Sequence, residues 1–199
     1  MRRITMFNHV TPQGWFSTPT GSLDWAVQDD ELNRANAAGL SGPGAMLFGR
    51  RTYQMFESFW PHALDDAETA PDPHHPGHRS PDLRAMAVWI DEAEKIVFSR
   101  TLKSVSWKNS RLVPELDPAA VEAIKAEPGS DIMIFGSGSI VTQLTPHGLI
   151  DEYHFIVDPL LLGAGRPLFG ELPASVRLDL LEARPFPSGN VRLRYGLRR

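Results

Sequence analysis

The chain has 199 residues, 42% of them hydrophobic, enough for one domain with a proper core. Its formal net charge of −4 removes any bulk electrostatic case for a nucleic-acid partner. The absence of cysteine excludes disulfides, thiolate metal sites, cysteine nucleophiles and the paired-cysteine signature of the zinc deaminases.

The N-terminus, Met1-Arg2-Arg3-Ile4-Thr5, passes straight into a strand pattern over 3–10, with no signal-peptide core. No apolar run approaches the ~18 residues of a membrane span. A soluble cytoplasmic protein without a membrane partner is the expectation. A loop over 11–24, holding Pro12, Gly14, Pro19 and Gly21, leads to a helix over 29–38 whose start Asp29 or Asp30 favours. Residues 45–48 read as a buried strand ended by Gly49. A helix over 52–59 spaces Tyr53, Phe56 and Phe59 along one face.

The segment 61–82, PHALDDAETAPDPHHPGHRSPD, is rich in proline, acid and histidine and shows no periodicity. It reads as a surface loop inserted in the domain. His74, His75 and His78 lack the rigid geometry that a metal site needs, so no metal is expected. A long loop of this kind also suits the flank of a substrate pocket. Next come a helix over 82–90, a strand over 95–98 ended by Ser99, and a helix over 118–126 with Pro118 in its first turn. A strand over 132–135 enters Gly136-Ser137-Gly138-Ser139 and leaves as a helix from Ile140 to Leu144. A further strand spans 152–157. The C-terminus then alternates over 176–183, turns at 185–190 and alternates again over 191–197, as a β-hairpin does. Strand–helix alternation with a terminal hairpin predicts an α/β fold: a mostly parallel central sheet covered on both faces, with an antiparallel addition at one edge.

Three turns share one setting. Gly49-Arg50-Arg51-Thr52, Ser99-Arg100-Thr101 and Gly136-Ser137-Gly138-Ser139 each follow a strand. A glycine turn between a strand and a helix aims unpaired backbone N–H groups at one spot, which attracts anions. Arginine binds a phosphate bidentately while neighbouring hydroxyls serve the remaining oxygens. Each turn alone is compatible with an ordinary cap, and the third is not the full dinucleotide fingerprint, because Val141 stands where a third glycine belongs. Together they suit an elongated ligand with several phosphates lying beyond the carboxyl ends of the strands.

With these pieces in this order, the chain resembles the dihydrofolate reductase-like superfamily. The branch is that of the C-terminal reductase domain of the bacterial riboflavin-biosynthesis deaminase-reductase. The segments Leu47-Phe48-Gly49-Arg50-Arg51-Thr52-Tyr53, Ile96-Val97-Phe98-Ser99, Ile132-Met133-Ile134-Phe135-Gly136-Ser137-Gly138, Gly148-Leu149-Ile150-Asp151-Glu152 and 159–169 carry the resemblance, which covers almost the whole chain. It implies a three-layer α/β/α domain over 1–199, NADPH as cofactor, a small-molecule substrate and a homodimer. By the same resemblance, Arg50 and Thr52 touch cofactor phosphates, with Gly49 and Arg51 beside them. Ser99, with Arg100 and Thr101 adjoining, lies near the adenosine 2′-phosphate. Gly136, Ser137 and Gly138 cradle the pyrophosphate, and Ser139 starts the helix behind it. The 11–24 loop closes over the nicotinamide, and 163–166 lies near the pocket or a subunit contact.

Two departures bear on the substrate. Dihydrofolate reductase holds its pterin with one buried acid on the first helix. Asp30 and Glu31 are the candidates here, with Asn33 one turn along, and both acids also suit plain stabilisation of the helix start. The riboflavin reductase's Ser-x-Asp-Gly is replaced by Thr11-Pro12-Gln13-Gly14, and its deaminase part is not expected in this chain. Trp25 stands where it can stack on a planar substrate or anchor the loop. The expected activity is reduction of a small planar heterocycle, pterin- or pyrimidine-like, by hydride transfer. A riboflavin-pathway pyrimidine reductase and a non-catalytic NADPH-binding module are the alternatives.

Overall fold

The structure is a computed structural model that describes residues 1–40, 42 and 44–198. Its centre is an eight-stranded sheet. The strands, in chain order, are β1 (Ile4–Val10), β3 (Ala45–Gly49), β6 (Glu94–Phe98), β7 (Ser110–Val113), β8 (Ile132–Phe135), β9 (Glu152–Val157), β11 (Leu178–Pro185) and β12 (Val191–Leu197). Two short ribbons add β2 (Trp15–Ser17) with β10 (Arg166–Pro167), and β4 (Ala70–Pro71) with β5 (Arg79–Ser80). The helices are α1 (Asp30–Ala38), α2 (Arg50–Phe59), α3 (Pro81–Glu92), α4 (Pro118–Ala126) and α5 (Gly138–Leu144).

The sheet order is β11-β12-β9-β1-β8-β3-β6-β7. Every pairing from β9 to β7 is parallel, and β12 and β11 join antiparallel at the β9 side. The mixed, mostly parallel sheet with a terminal hairpin is thus what the sequence predicts. The strand sequences show why. β3, Ala-Met-Leu-Phe-Gly, and the Ile96-Val97-Phe98 run of β6 are buried on both faces, as interior parallel strands must be. β1 alternates instead: Ile4, Met6, Asn8 and Val10 are buried on one face, while Thr5, Phe7 and His9 point to the other. On one face Ile4, Met6, Ile132 and Ile134 form the main core with α4 and α5. On the other, Met46, Phe48 and Val97 pack under α2 and α3, and Ile156 packs with Leu32 of α1.

Side chains set the helix starts. Asp29, Ser80 and Asp117 each accept a backbone N–H of the first turn, and proline opens α3 and α4. Asp29, rather than Asp30, is the cap of α1. Helix α2 begins at Arg50, two residues before the predicted start, because the β region ends at Gly49 (φ −79°, ψ 156°), which serves as N-cap without a capping side chain. The first hairpin strand likewise lies at Leu178–Pro185, two residues beyond its predicted place.

Besides the β2 strand inside the expected 11–24 loop, two regions differ from the sequence reading. β7 is absent from it, since Ser110–Val113 lies at the sheet edge with every residue half-buried and so shows neither alternation nor a long apolar run. The 61–82 segment is not structureless. It opens in a 3-10 turn, Trp60–His62, forms the β4–β5 pair, and has Ala63 and Ala70 in the core.

Candidate functional site

The three expected turns meet at the carboxyl ends of β3, β6 and β8. Because β3 and β8 are neighbours, the start of α2 and the start of α5 lie side by side and are laced together. The Ser137 amide donates to Thr52 Oγ1 (3.2 Å) and the Gly49 amide donates to Ser137 Oγ (3.1 Å). Gly136 and Ser137 both take left-handed backbone, φ +57° and +49°. A side chain at 136 would press on Thr52 Cγ2 at 3.2 Å, so glycine is required there on two counts. Gly138 is tighter still: a Cβ would meet the Leu168 carbonyl oxygen at 2.8 Å and the Phe16 ring at 3.1 Å.

A cleft of about 180 Å³ opens beside this junction, lined by Gly49, Arg50, Ser99, Arg100, Ser139 and Gln143 among others. Neither α2 nor α5 has a side-chain cap, so first-turn N–H groups are left over for a ligand. Among the described residues, neither Arg50 nor Arg51 has an ion-pair partner, and both are exposed. Arg100 pairs with Glu115 at 3.1 Å, but both side chains are more than two-thirds exposed (81% and 68%), so a phosphate can displace the carboxylate at little cost.

The structure also assigns several of these residues a local duty. Ser99 Oγ accepts the amides of Thr101 (3.2 Å) and Leu102 (3.0 Å), closing the turn after β6. Thr101 is exposed outside the cleft lining. With the Ser137 amide given to Thr52, the glycine turn has the amides of Gly138 and Ser139 to offer, and Thr52 keeps its hydroxyl proton as a donor.

The 11–24 loop is tied down. β2 within it pairs with β10, and Gln13 exchanges two hydrogen bonds with the backbone of Leu162 (2.9 and 3.1 Å). Trp15 lies so close over Gly165 that a Cβ there would stand 2.6 Å from the indole. This crowding is the reason for glycine at position 165. Trp25 is half-buried and donates from its indole to the Ser22 carbonyl at 3.2 Å, a contact that anchors the loop end.

Asp30 and Glu31 do not converge on the cleft. Asp30 is 60% exposed, accepts a hydrogen bond from Gln28 (2.8 Å) and faces His78 (3.1 Å). Glu31 pairs with Arg184 of the hairpin. Neither is the buried pocket acid the resemblance implies. Their exposure follows from the helix cap: with Asp29 turned inward onto the Leu32 amide, the next two residues face outward. Burial pushes the Asp29 carboxyl up, but hydrogen bonds from Ser188 and the Leu32 amide outweigh it and hold the group below the usual carboxylate range.

The most deeply buried acid at this end of the sheet is Asp158, just past β9, and the sequence reading did not single it out. Its side chain is wholly buried. Oδ1 accepts the Val27 amide at 2.7 Å and Oδ2 lies 2.9 Å from His9 Nδ1. His9, at the end of β1, touches Phe7, whose ring in turn meets Phe135, itself against Phe56 of α2. The histidine-rich segment reaches the same place. Burial, and then the charge of nearby His9, push His74 down to about 4 against the opposing pull of Asp72. The only sequence signal was a histidine ending the first strand and an Asp-Pro ending another, 149 positions away, and nothing short of the β1–β9 register joins them.

A much larger cavity, about 540 Å³, lies at the opposite ends of the strands, between Arg2, Glu92, Glu94, Arg111 and Gly129. Its charges are already matched: Arg111 with Glu94 and Glu127, and Lys108 with Asp91 and Glu92. Parallel sheets bind ligands at the other end. No group of three or more acidic or histidine side chains able to hold a metal occurs among the described residues. Nor, among them, is any helix long and apolar enough to cross a membrane.

Comparison with known proteins agrees with this geometry. The uncharacterized protein YyaP of Bacillus subtilis is 26% identical, covering 98% of this chain and 94% of that one. A solved structure of a Shewanella sp. PV-4 protein named for riboflavin biosynthesis has the same fold, at a TM-score of 0.70 and 20% identity over 99% of each chain. Dihydrofolate reductase from Enterococcus faecalis, solved with NADP(H), superposes with a TM-score of 0.63 at 13% identity, covering 99% of this chain and 97% of that one. The sequence profile of the RibD C-terminal domain matches residues 2–192, and the chain therefore belongs to the RibD C-terminal domain family.

Proposed function

We propose that the protein is an NADPH-dependent reductase of a small planar heterocycle, pterin- or pyrimidine-like. The observation that carries this reading is the meeting of unpaired Arg50, the readily freed Arg100 and two uncapped helix starts at the carboxyl ends of three parallel strands. Family membership and the likeness to an NADP(H)-bound reductase support it. The residues fit such a cofactor. Arg50 and the Gly138 and Ser139 amides would bind its pyrophosphate, while Arg100 and the Ser99 turn would take a 2′-phosphate. A nucleotide lacking that phosphate leaves Arg100 to Glu115. When bound, the reduced nicotinamide supplies hydride. The chain's own work is to orient the acceptor, to exclude water with the β2–β10 ribbon and the 61–82 segment, and to deliver one proton.

The test is fluorescence titration of NADPH and NADH into the wild type, Arg50→Ala and Arg100→Ala, followed by an acceptor screen on the protein that binds. Micromolar NADPH affinity, weaker NADH affinity, and loss in Arg50→Ala are expected. No binding of either nucleotide would sink the reading. A non-catalytic nucleotide-binding module would bind NADPH and turn over nothing in the screen. We further propose that the protein works as a homodimer, as the family resemblance implies, which sedimentation of the pure protein will settle.

A further inference from the structure

Two loops flank the carboxyl ends of β1 and β9, and they are held very differently. The 11–24 loop is fastened along its length to 162–168. β2 pairs with β10, and Gln13 exchanges two hydrogen bonds with Leu162. The Leu168 amide donates to the Gly14 carbonyl (3.1 Å), and Arg166 donates to the Pro19 carbonyl (2.5 Å). The Trp15 indole is wedged over Gly165. A loop tied at this many points opens only together with the structure around it.

The tip of the 61–82 segment, Asp72-Pro73-His74-His75-Pro76-Gly77-His78, has few ties. It shapes itself: Asp72 Oδ1 accepts the amides of His74 (2.7 Å) and His75 (3.1 Å), and the Asp72 amide donates to the His78 carbonyl (2.9 Å). Behind it stand the two residue pairs of the β4–β5 ladder. Among the described residues, the hydrogen bonds and ion pairs from the tip to anything outside 61–82 all leave from His78. Its Nε2 lies 3.1 Å from both Gln28 Nε2 and Asp30 Oδ1. Asp30 is 60% exposed, so that pair adds little. The other point of contact is His74, half-buried near His9 and Asp158. Among the described residues its ring has no hydrogen bond and no ion pair.

We infer that this tip is an acid-released flap: it, and not the 11–24 loop, opens over the ends of β1 and β9, and it opens when His74 takes a proton. The flap stands apart from the reductase reading, since no nucleotide takes part. A neutral imidazole packs against the strand ends at no electrostatic cost, whereas a charged one must give up water there and face His9. In the closed tip, burial and then His9 push His74 down to about 4; in a lifted tip the ring regains its ordinary 6.5. Asp72 and Asp158 pull the other way and are outweighed, while His75 adds to the opposition. The His75–Asp72 pair (3.2 Å) lies within the tip and does not cross its docking contact. His78 beside Asp30 would gain from a proton, but it meets that acid in solvent. The open form thus binds the proton more tightly, so closure is firm above pH 6.5 and weakens as pH falls towards about 4.

The test is amide hydrogen exchange by NMR, with each rate divided by the intrinsic rate at the same pH. A seven-residue turn on a two-residue ladder does not keep its bonds once lifted, so its amides report opening. Between pH 7.5 and 5 the protection of the His74, His75 and His78 amides should fall about 30-fold. The Thr11 amide, bonded to the Trp15 carbonyl, and the Leu168 amide should hold theirs. In His74→Gln the tip should keep its protection at both pH values. Four results would each overturn the flap: tip amides unprotected at pH 7.5, protection that does not change with pH, the same fall in His74→Gln, or a matching fall at Thr11 and Leu168.

Discussion

At the amino ends of β3, β6 and β7 the chain leaves a hollow of about 540 Å³, while at their carboxyl ends it leaves a cleft of about 180 Å³. In the larger hollow each arginine faces a glutamate, and below it Lys125 is buried against Asp151. In the smaller one Arg50 has no ion-pair partner among the described residues, and Arg100 has only a solvent-exposed one. The contrast teaches that concavity is a weak guide to a site. Uncompensated charge beside uncapped helix starts is a stronger one, because folding gains nothing from leaving charge unpaired there.

If that division holds, substitutions at the amino ends should change stability and leave nucleotide binding alone. The largest such effect belongs to Lys125. It is 5% exposed, with Nζ 2.6 Å from Asp151 and 2.9 Å from the Leu149 carbonyl. Lys125→Ala removes the cation beside the nearly buried Asp151 carboxylate, which keeps the Ile4 amide, and should lower unfolding free energy by about 3 kcal/mol in urea melts. NADPH affinity at a temperature where the variant stays folded should match the wild type.

His74 should reveal the carboxyl end through pH. Its folded value of about 4 lies below its ordinary 6.5, so between those limits the unfolded chain carries the proton and the fold does not. Stability therefore declines as pH falls from 6.5 to about 4, by up to about 3 kcal/mol. Chemical denaturation at a series of pH values should show this decline, and His74→Gln should flatten it. An equal slope in both proteins would mean that the 61–82 segment does not bury its histidine.

Arg50→Ala should do the reverse of Lys125→Ala: about 10- to 100-fold weaker NADPH binding with an unchanged melting temperature, since a charge-assisted contact is worth about 1.5–3 kcal/mol. The smallest effect is expected of Arg100→Ala. It should leave the melting temperature within a degree or so, because exposed ion pairs contribute about 0–1 kcal/mol, and should narrow the preference for NADPH over NADH. An equal loss for both nucleotides would put Arg100 away from the 2′-phosphate.

The sheet was legible in the sequence because the interior parallel strands are continuous apolar runs and the terminal hairpin alternates. β7 was not, since an edge strand half-buried at every residue carries neither signal. The three turns that meet at the carboxyl ends of β3, β6 and β8 could be found because their residues are local, with glycine, hydroxyl and arginine adjacent in the chain. His9 and Asp158 could not, because their meeting depends on which strands are neighbours. Asp30 and Glu31 drew notice as acids on the first helix, yet one carboxylate earlier, Asp29, had already taken the inward position.

The lack of space at Gly138 has a practical side. One turn of α5 touches the Leu168 carbonyl and the Phe16 ring, and next to Phe16 the Trp15 indole is wedged against Gly165. The turn after β8 and the ribbon beside it thus form a single close-packed strut, and one end of it is fluorescent. A ligand seated on Gly138 should therefore shift the Trp15 emission, an optical gauge of occupancy that needs no added label.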